Sequence, residues 1–103
     1  MINCYEIYAG LNDKDEKRQL FSTDIAEKAV KTYLQNNFEG STLAISKGLY
    51  KHENGQRVTE NTIVIKLLDA PENNVITLCE YLKKLLNQES IMLQKTAANV
   101  SFI

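Results

Sequence analysis

The sequence has no tryptophan, one proline, one histidine, two cysteines and four glycines in 103 residues, and each scarcity excludes a class of chemistry. Cys4 and Cys79 fall on different expected elements, without the clustering of a disulfide framework or a metal site, and read as reduced thiols. Cys79 lies on the apolar face of its helix, where a buried, inert thiol is the expectation. With one histidine there is no metal-ligand spacing or nucleophile triad, and no glycine-rich loop cradles a phosphate. No cofactor is expected. Twelve basic and thirteen acidic residues, scattered to a net charge of −1, form no basic patch, which excludes double-stranded nucleic acid while leaving small anions open. No segment approaches about 18 consecutive apolar residues, and the opening MINCYEIYAG lacks a charged stretch followed by an apolar run. The expectation is a cytoplasmic protein with no membrane contact. A chain of this length is one domain, residues 1–103, with one core, so a large binding site would need another copy.

What is present is a regular alternation of strand and helix signals. Ile2 to Ala9 alternates, with Tyr5, Ile7 and Ala9 on one face and Cys4, Glu6 and Tyr8 on the other. Gly10 to Arg18 is polar and turn-rich, and reads as a solvated connection or, alternatively, a lid. Ser22, Thr23 or Asp24 starts a helix whose apolar stripe is Ile25, Ala26, Ala29, Val30, Tyr33 and Leu34. From about Thr42 to Tyr50 a second strand places Leu43, Ile45, Lys47 and Leu49 towards the core. Gly48, on the opposite face, leaves room for a bulge or a close backbone approach. Glu53-Asn54-Gly55 signals a tight hairpin turn with positive φ angles. Strand three, Val58 to Leu68, turns Ile63, Ile65 and Leu67 inward. Asp69-Ala70-Pro71-Glu72 offers a capping box and an N-terminal proline for a helix carrying Val75, Leu78, Cys79, Leu82, Leu85 and Leu86. Ile91 to Lys95 reads as a fourth strand, with Val100 to Ile103 extending it or adding a fifth.

The order βαββαβ is that of a ferredoxin-like α+β sandwich, two helices on one face of a four-stranded antiparallel sheet. The open face would carry Tyr8, Ala44, Ser46, Gly48, Tyr50, Thr62 and Val64. That set is too apolar for a wet surface, and so Tyr8, Ala44, Ser46, Gly48, Thr62 and Val64 are expected to meet a second copy in a homo-oligomer.

The polar residues support binding better than catalysis. His52 stands at the hairpin tip, where a desolvated base has no shelter, although Glu53 or Glu60 could orient it. Tyr50, Glu60, Asn61, Gln88 and Gln94, assisted by Lys47 or Arg57, form the candidate ligand set, because amides donate and accept while tyrosine stacks. An RNA-binding aromatic platform is excluded, since ENTIVIKLL on the central strand supplies one lysine and no aromatic.

Tyr8-Ala9-Gly10-Leu11-Asn12-Asp13-Lys14-Asp15, Gly48-Leu49-Tyr50-Lys51-His52-Glu53-Asn54-Gly55, Thr59-Glu60-Asn61-Thr62 and Leu86-Asn87-Gln88-Glu89-Ser90 together resemble small proteins of Firmicutes phages and prophages. These lie near a bacterial domain family with a Gly-x-Tyr or Gly-x-Trp hairpin. The resemblance implies a phage accessory or anti-defence protein in the host cytoplasm that sequesters a nucleotide-like signal or blocks a host protein. Two readings compete with it: a small enzyme of the dimeric α+β barrel kind using His52, Glu60 or a tyrosine hydroxyl, and an assembly factor with a flat apolar interface.

Overall fold

The computed structural model describes all 103 residues. Strand β1 (Ile2–Gly10) leads to helix α1 (Thr23–Asn37), then to β2 (Thr42–Lys51), β3 (Arg57–Leu68), helix α2 (Glu72–Leu85) and β4 (Met92–Ala98). The sheet has the order β2-β3-β1-β4, with every pairing antiparallel. This is the ferredoxin-like arrangement expected from the sequence.

Alternation along the strands decides which face is covered. Tyr5, Ile7 and Ala9 of β1 and Ile63, Ile65 and Leu67 of β3 point to the helices. They close a core with Ala26, Val30 and Leu34 of α1 and Val75, Leu78 and Leu82 of α2. The rings of Tyr33 and Tyr81 stack at 4.2 Å between centroids, joining the two helices above that core. Ile25, expected in the stripe of α1, is instead 60% exposed, while its neighbour Ala26 faces the core.

Ser22 caps α1, its hydroxyl accepting from the Ile25 N–H. Helix α2 departs from expectation. Its N-cap is Pro71, with no side-chain cap; Asp69 takes a positive φ of 53° and donates its N–H to the Asn3 carbonyl. The Glu72 carboxylate, freed from any capping box, accepts from the Tyr5 hydroxyl and from Lys95, which holds it below the usual carboxylate range. Cys79 is only partly covered, yet packs on the core, and burial raises its thiol pKa.

The hairpin turn has three residues rather than the two of a primed turn. His52 N–H donates to the Gln56 carbonyl and Gly55 N–H to that of His52, with only Gly55 at positive φ, 86°. Strand β4 runs on to Ala98, and residues 99–103 form no strand.

Strands β2 and β3 outrun the rest of the sheet. Pairing of β1 with β3 stops at Gly10 opposite Thr62, whereas β2 and β3 stay paired as far as Lys51 opposite Arg57. That overhang positions the candidate site.

Candidate functional site

Where β1 ends and the β2–β3 overhang begins, the open face of the sheet sinks into a depression of about 1130 Å³. Its floor is Tyr8, Gly10, Gly48 and Thr62; its sides are Tyr50 and Glu60 from the hairpin, Asn12 from the β1–α1 loop and Gln88 from the end of α2. Two glycines lie in the floor. On this face, Gly48 sits opposite Glu60 and Gly10 opposite Thr62, and a strand without side chains at those positions leaves space over its backbone for neighbouring side chains. A Cβ on Gly48 would stand 2.9 Å from Thr62 Oγ1, so what comes close is a side chain, not the bulge or backbone approach expected from the sequence.

Glu60 occupies that space. Its Oε1 accepts from the Tyr50 hydroxyl at 2.8 Å, and its Oε2 accepts from the Asn12 backbone N–H at 3.0 Å. The Tyr50 pKa is pushed up to about 12, first by partial burial and then by the hydrogen bond to Glu60 and its negative charge. At neutral pH Tyr50 is therefore a phenol that donates, not a base. The His52 ring meets Tyr50 edge-on at 5.6 Å. It lies on the rim, exposed.

The loop that presents Asn12 is anchored from Leu11 to Asp13, contrary to the expectation of a solvated connection, which describes only the exposed Lys14 to Arg18. Leu11 is buried in the core, and its N–H donates to the Asn61 carbonyl. Asp13, 8% exposed, accepts from the N–H groups of Asp15 and Glu16 and from the Asn87 amide. These bonds, led by that from Glu16, lower its pKa. Gln88 Nε2 donates to the Asn12 carbonyl at 2.6 Å. One peptide unit later, Lys14 N–H donates to the Asn87 carbonyl. Asn87 itself adopts a positive φ of 47° to end the helix. The chain from helix end to loop to Glu60 is continuous.

The expected ligand set is therefore divided. Tyr50, Glu60 and Gln88 converge on the depression. Asn61 and Lys47 face the other side of the sheet, where Lys47 donates to Asn61 Oδ1 and the Asn61 amide reaches Gln19 and Thr23. That network ties the overhang to the start of α1. Arg57 lies further out, opposite Lys51. Gln94 sits opposite Glu6, beside the Glu6–Lys66 ion pair and outside the depression. Of the expected interface residues, Tyr8, Gly48 and Thr62 line the hollow; Ala44, Ser46 and Val64 continue the same face. Gly10, Asn12 and Asp13 are among the additional lining residues. The spacing of Gly10 beyond Ala9 could have identified the first, since register carries it to the side of Glu60.

No protein-family model matches the chain, and no curated protein matches it. Solved structures do. A phage SAM lyase in complex with S-methyl-5′-thioadenosine is similar over 92% of this chain and 80% of its own, at 23% identity and a TM-score of 0.64. A phage SAM lyase in the apo state matches 91% of this chain and 78% of its own, at 25% identity and a TM-score of 0.62. CutA1 from Pyrococcus horikoshii matches over 95% and 86%, at 19% identity and a TM-score of 0.54.

Proposed function

We propose that this chain is a phage accessory protein that binds S-adenosylmethionine in the depression beside Glu60 and cleaves it. The observation that carries the reading is the Glu60 carboxylate, held by Tyr50 and Asn12 at the edge of an open hollow. Four carboxylates line the hollow, Asp13, Glu53, Glu60 and Glu89, against the two lysines Lys14 and Lys17. Such a balance favours a cationic ligand over a phosphate-bearing one. A nucleoside sulfonium meets that demand, and it narrows the broader expectation of a nucleotide-like signal. The likeness to phage SAM lyases supports the same ligand.

The chemistry asks little of the protein. S-methyl-5′-thioadenosine is S-adenosylmethionine without its aminobutyrate arm, so its formation breaks the bond between sulfur and the γ-carbon. Sulfur keeps the bonding pair and leaves as a neutral thioether, so no general acid is required. As that bond breaks, the γ-carbon either takes the electron pair of the substrate's own carboxylate, forming a lactone, or joins the β-carbon in a double bond as a base removes a β-proton, forming an alkene. Glu60 serves both routes as the counter-charge to the cation, and in the second it accepts the proton. Tyr50 holds it in place by donating.

The depression is open on one side, and a second copy of the chain on the face of Tyr8, Ala44 and Val64 would wall it. Loss of the methyl donor from the host cytoplasm would fit an anti-defence role.

The test is incubation of the purified protein with S-adenosylmethionine, following S-methyl-5′-thioadenosine by mass spectrometry and the four-carbon product as lactone or alkene. Light scattering on the same sample reads the oligomer. Formation of the thioether in catalytic excess, lost at least tenfold in Glu60→Gln, is expected. Tight binding without turnover would make the protein a sponge for the same ligand, and neither binding nor turnover would end the reading.

A further inference from the structure

Gly10 is half-buried at the end of β1, and its φ is not positive. Nothing in the backbone asks for glycine there. The reason lies across the strand: a Cβ at this position would run into the Glu60 carboxyl group, meeting Oε1, Oε2 and the carboxyl carbon together. The two oxygens are the atoms that accept from Tyr50 and Asn12. The side chain of Glu60 thus lies folded over the bare backbone of β1, two residues short of the amide that binds it.

We propose that Gly10 is a positioning residue of the site, its missing side chain being the space in which the Glu60 carboxylate is seated between Tyr50 and the Asn12 amide. The role of that seat in ligand binding rests on the function proposed above; the seat itself does not. With alanine at position 10 the carboxylate must swing away from β1, surrendering the Asn12 bond and moving out of line with the Tyr50 hydroxyl. A carboxylate free to rotate into solvent is a weaker and less directed counter-charge than a fixed one.

Gly10→Ala, Glu60→Ala and the double variant decide the matter by a cycle of thermal unfolding midpoints. In the native background Gly10→Ala should lower the midpoint. On Glu60→Ala, where the obstacle is gone, the same change should leave the midpoint unchanged or raise it, because alanine restricts the unfolded chain and suits a strand better. Equal losses in both backgrounds would overturn the proposal. If Gly10→Ala alone does not fold, recovery in the double variant supports the proposal and failure of both refutes it. A second readout is the Tyr50 ring titration by NMR, assigned with Tyr50→Phe: in Gly10→Ala its midpoint should fall towards that of Glu60→Ala, and an unmoved midpoint counts against the seat. Calorimetry with S-adenosylmethionine should show at least tenfold weaker binding for Gly10→Ala. No binding even by the wild type would fault the ligand assignment, while the unfolding cycle still decides Gly10.

Discussion

The two halves of β3 obey the same alternation and do different work. From Ile63 to Leu67 the inward residues are fully buried beneath both helices. From Arg57 to Asn61 the strand runs past the end of β1 and carries polar residues on both faces. Pairing with β2 is uninterrupted through both halves. What changes is the covering: once the helices no longer lie over the strand, the inward positions pass from isoleucine to asparagine and threonine. The outward positions are then free to hold a carboxylate over a glycine. A single strand thus anchors the core at one end and presents the site at the other.

The two halves differ most at Ile65, which is fully buried and pairs with Ile7 and Leu43. Ile65→Ala removes three carbons from a packed core and should cost about 2–5 kcal/mol, read as a lower denaturant midpoint. Thr59→Ala, six residues earlier on the same face but exposed, should stay within about 0.5 kcal/mol of wild type. Equal costs at both positions would show that the overhang is packed after all.

Asn61 lies at the boundary between the halves. Its side chain accepts from Lys47 and donates to Gln19 and Thr23, so it joins the overhang to the first turn of α1. Asn61→Ala should cost about 1–3 kcal/mol, since two of the partners it leaves, Gln19 and Thr23, are half-buried. The effect on S-adenosylmethionine binding should be much smaller than that of Glu60→Gln, because Asn61 faces away from the depression. Parallel calorimetry of the two variants separates stability from binding, and comparable losses of affinity would mean that both faces of the overhang contribute to the site.

The division was partly legible in the sequence. Alternation places Tyr50 and Glu60 on the open face, and the register makes them diagonal neighbours across β2 and β3. The same alternation sends Lys47 and Asn61 to the other face, so grouping them with Tyr50 and Glu60 overlooked the period of two. Gln94 was misplaced for another reason: it shares the open face, but antiparallel pairing puts it beside Glu6 in the middle of the sheet rather than at the end near Gly10. The anchored loop was not legible. Its composition is that of a solvated turn, and only the arrival of Asn87 and Gln88 from the far end of the chain supplies partners for Asn12 and Asp13. The absent capping box of α2 has the same origin, since tertiary partners, Tyr5 and Lys95, claim Glu72. Local signals located the elements; long-range hydrogen bonds decided what their ends do.

The smallest expected effect is the one that tests the Tyr50–Glu60 pair without a ligand. Tyr50 is raised to about 12 in the folded protein, by partial burial first and by Glu60 second, against about 10 for tyrosine in an unfolded chain. Between those values the native state binds more protons than the unfolded state, so the contribution to stability is complete below about pH 10 and declines as pH rises towards 12. The ring is 43% exposed, and solvent screening keeps the contribution modest. Chemical unfolding of wild type and Tyr50→Phe across that range should therefore show stability curves that converge with rising pH, because the variant has no phenol to lose. Tyr5 and Tyr33, also raised by burial, persist in both proteins and cancel in the difference. A difference that stays constant from neutral pH to pH 12 would mean that the hydroxyl of Tyr50 is solvated in the native state, and the carboxylate it is drawn to would then rest on Asn12 alone.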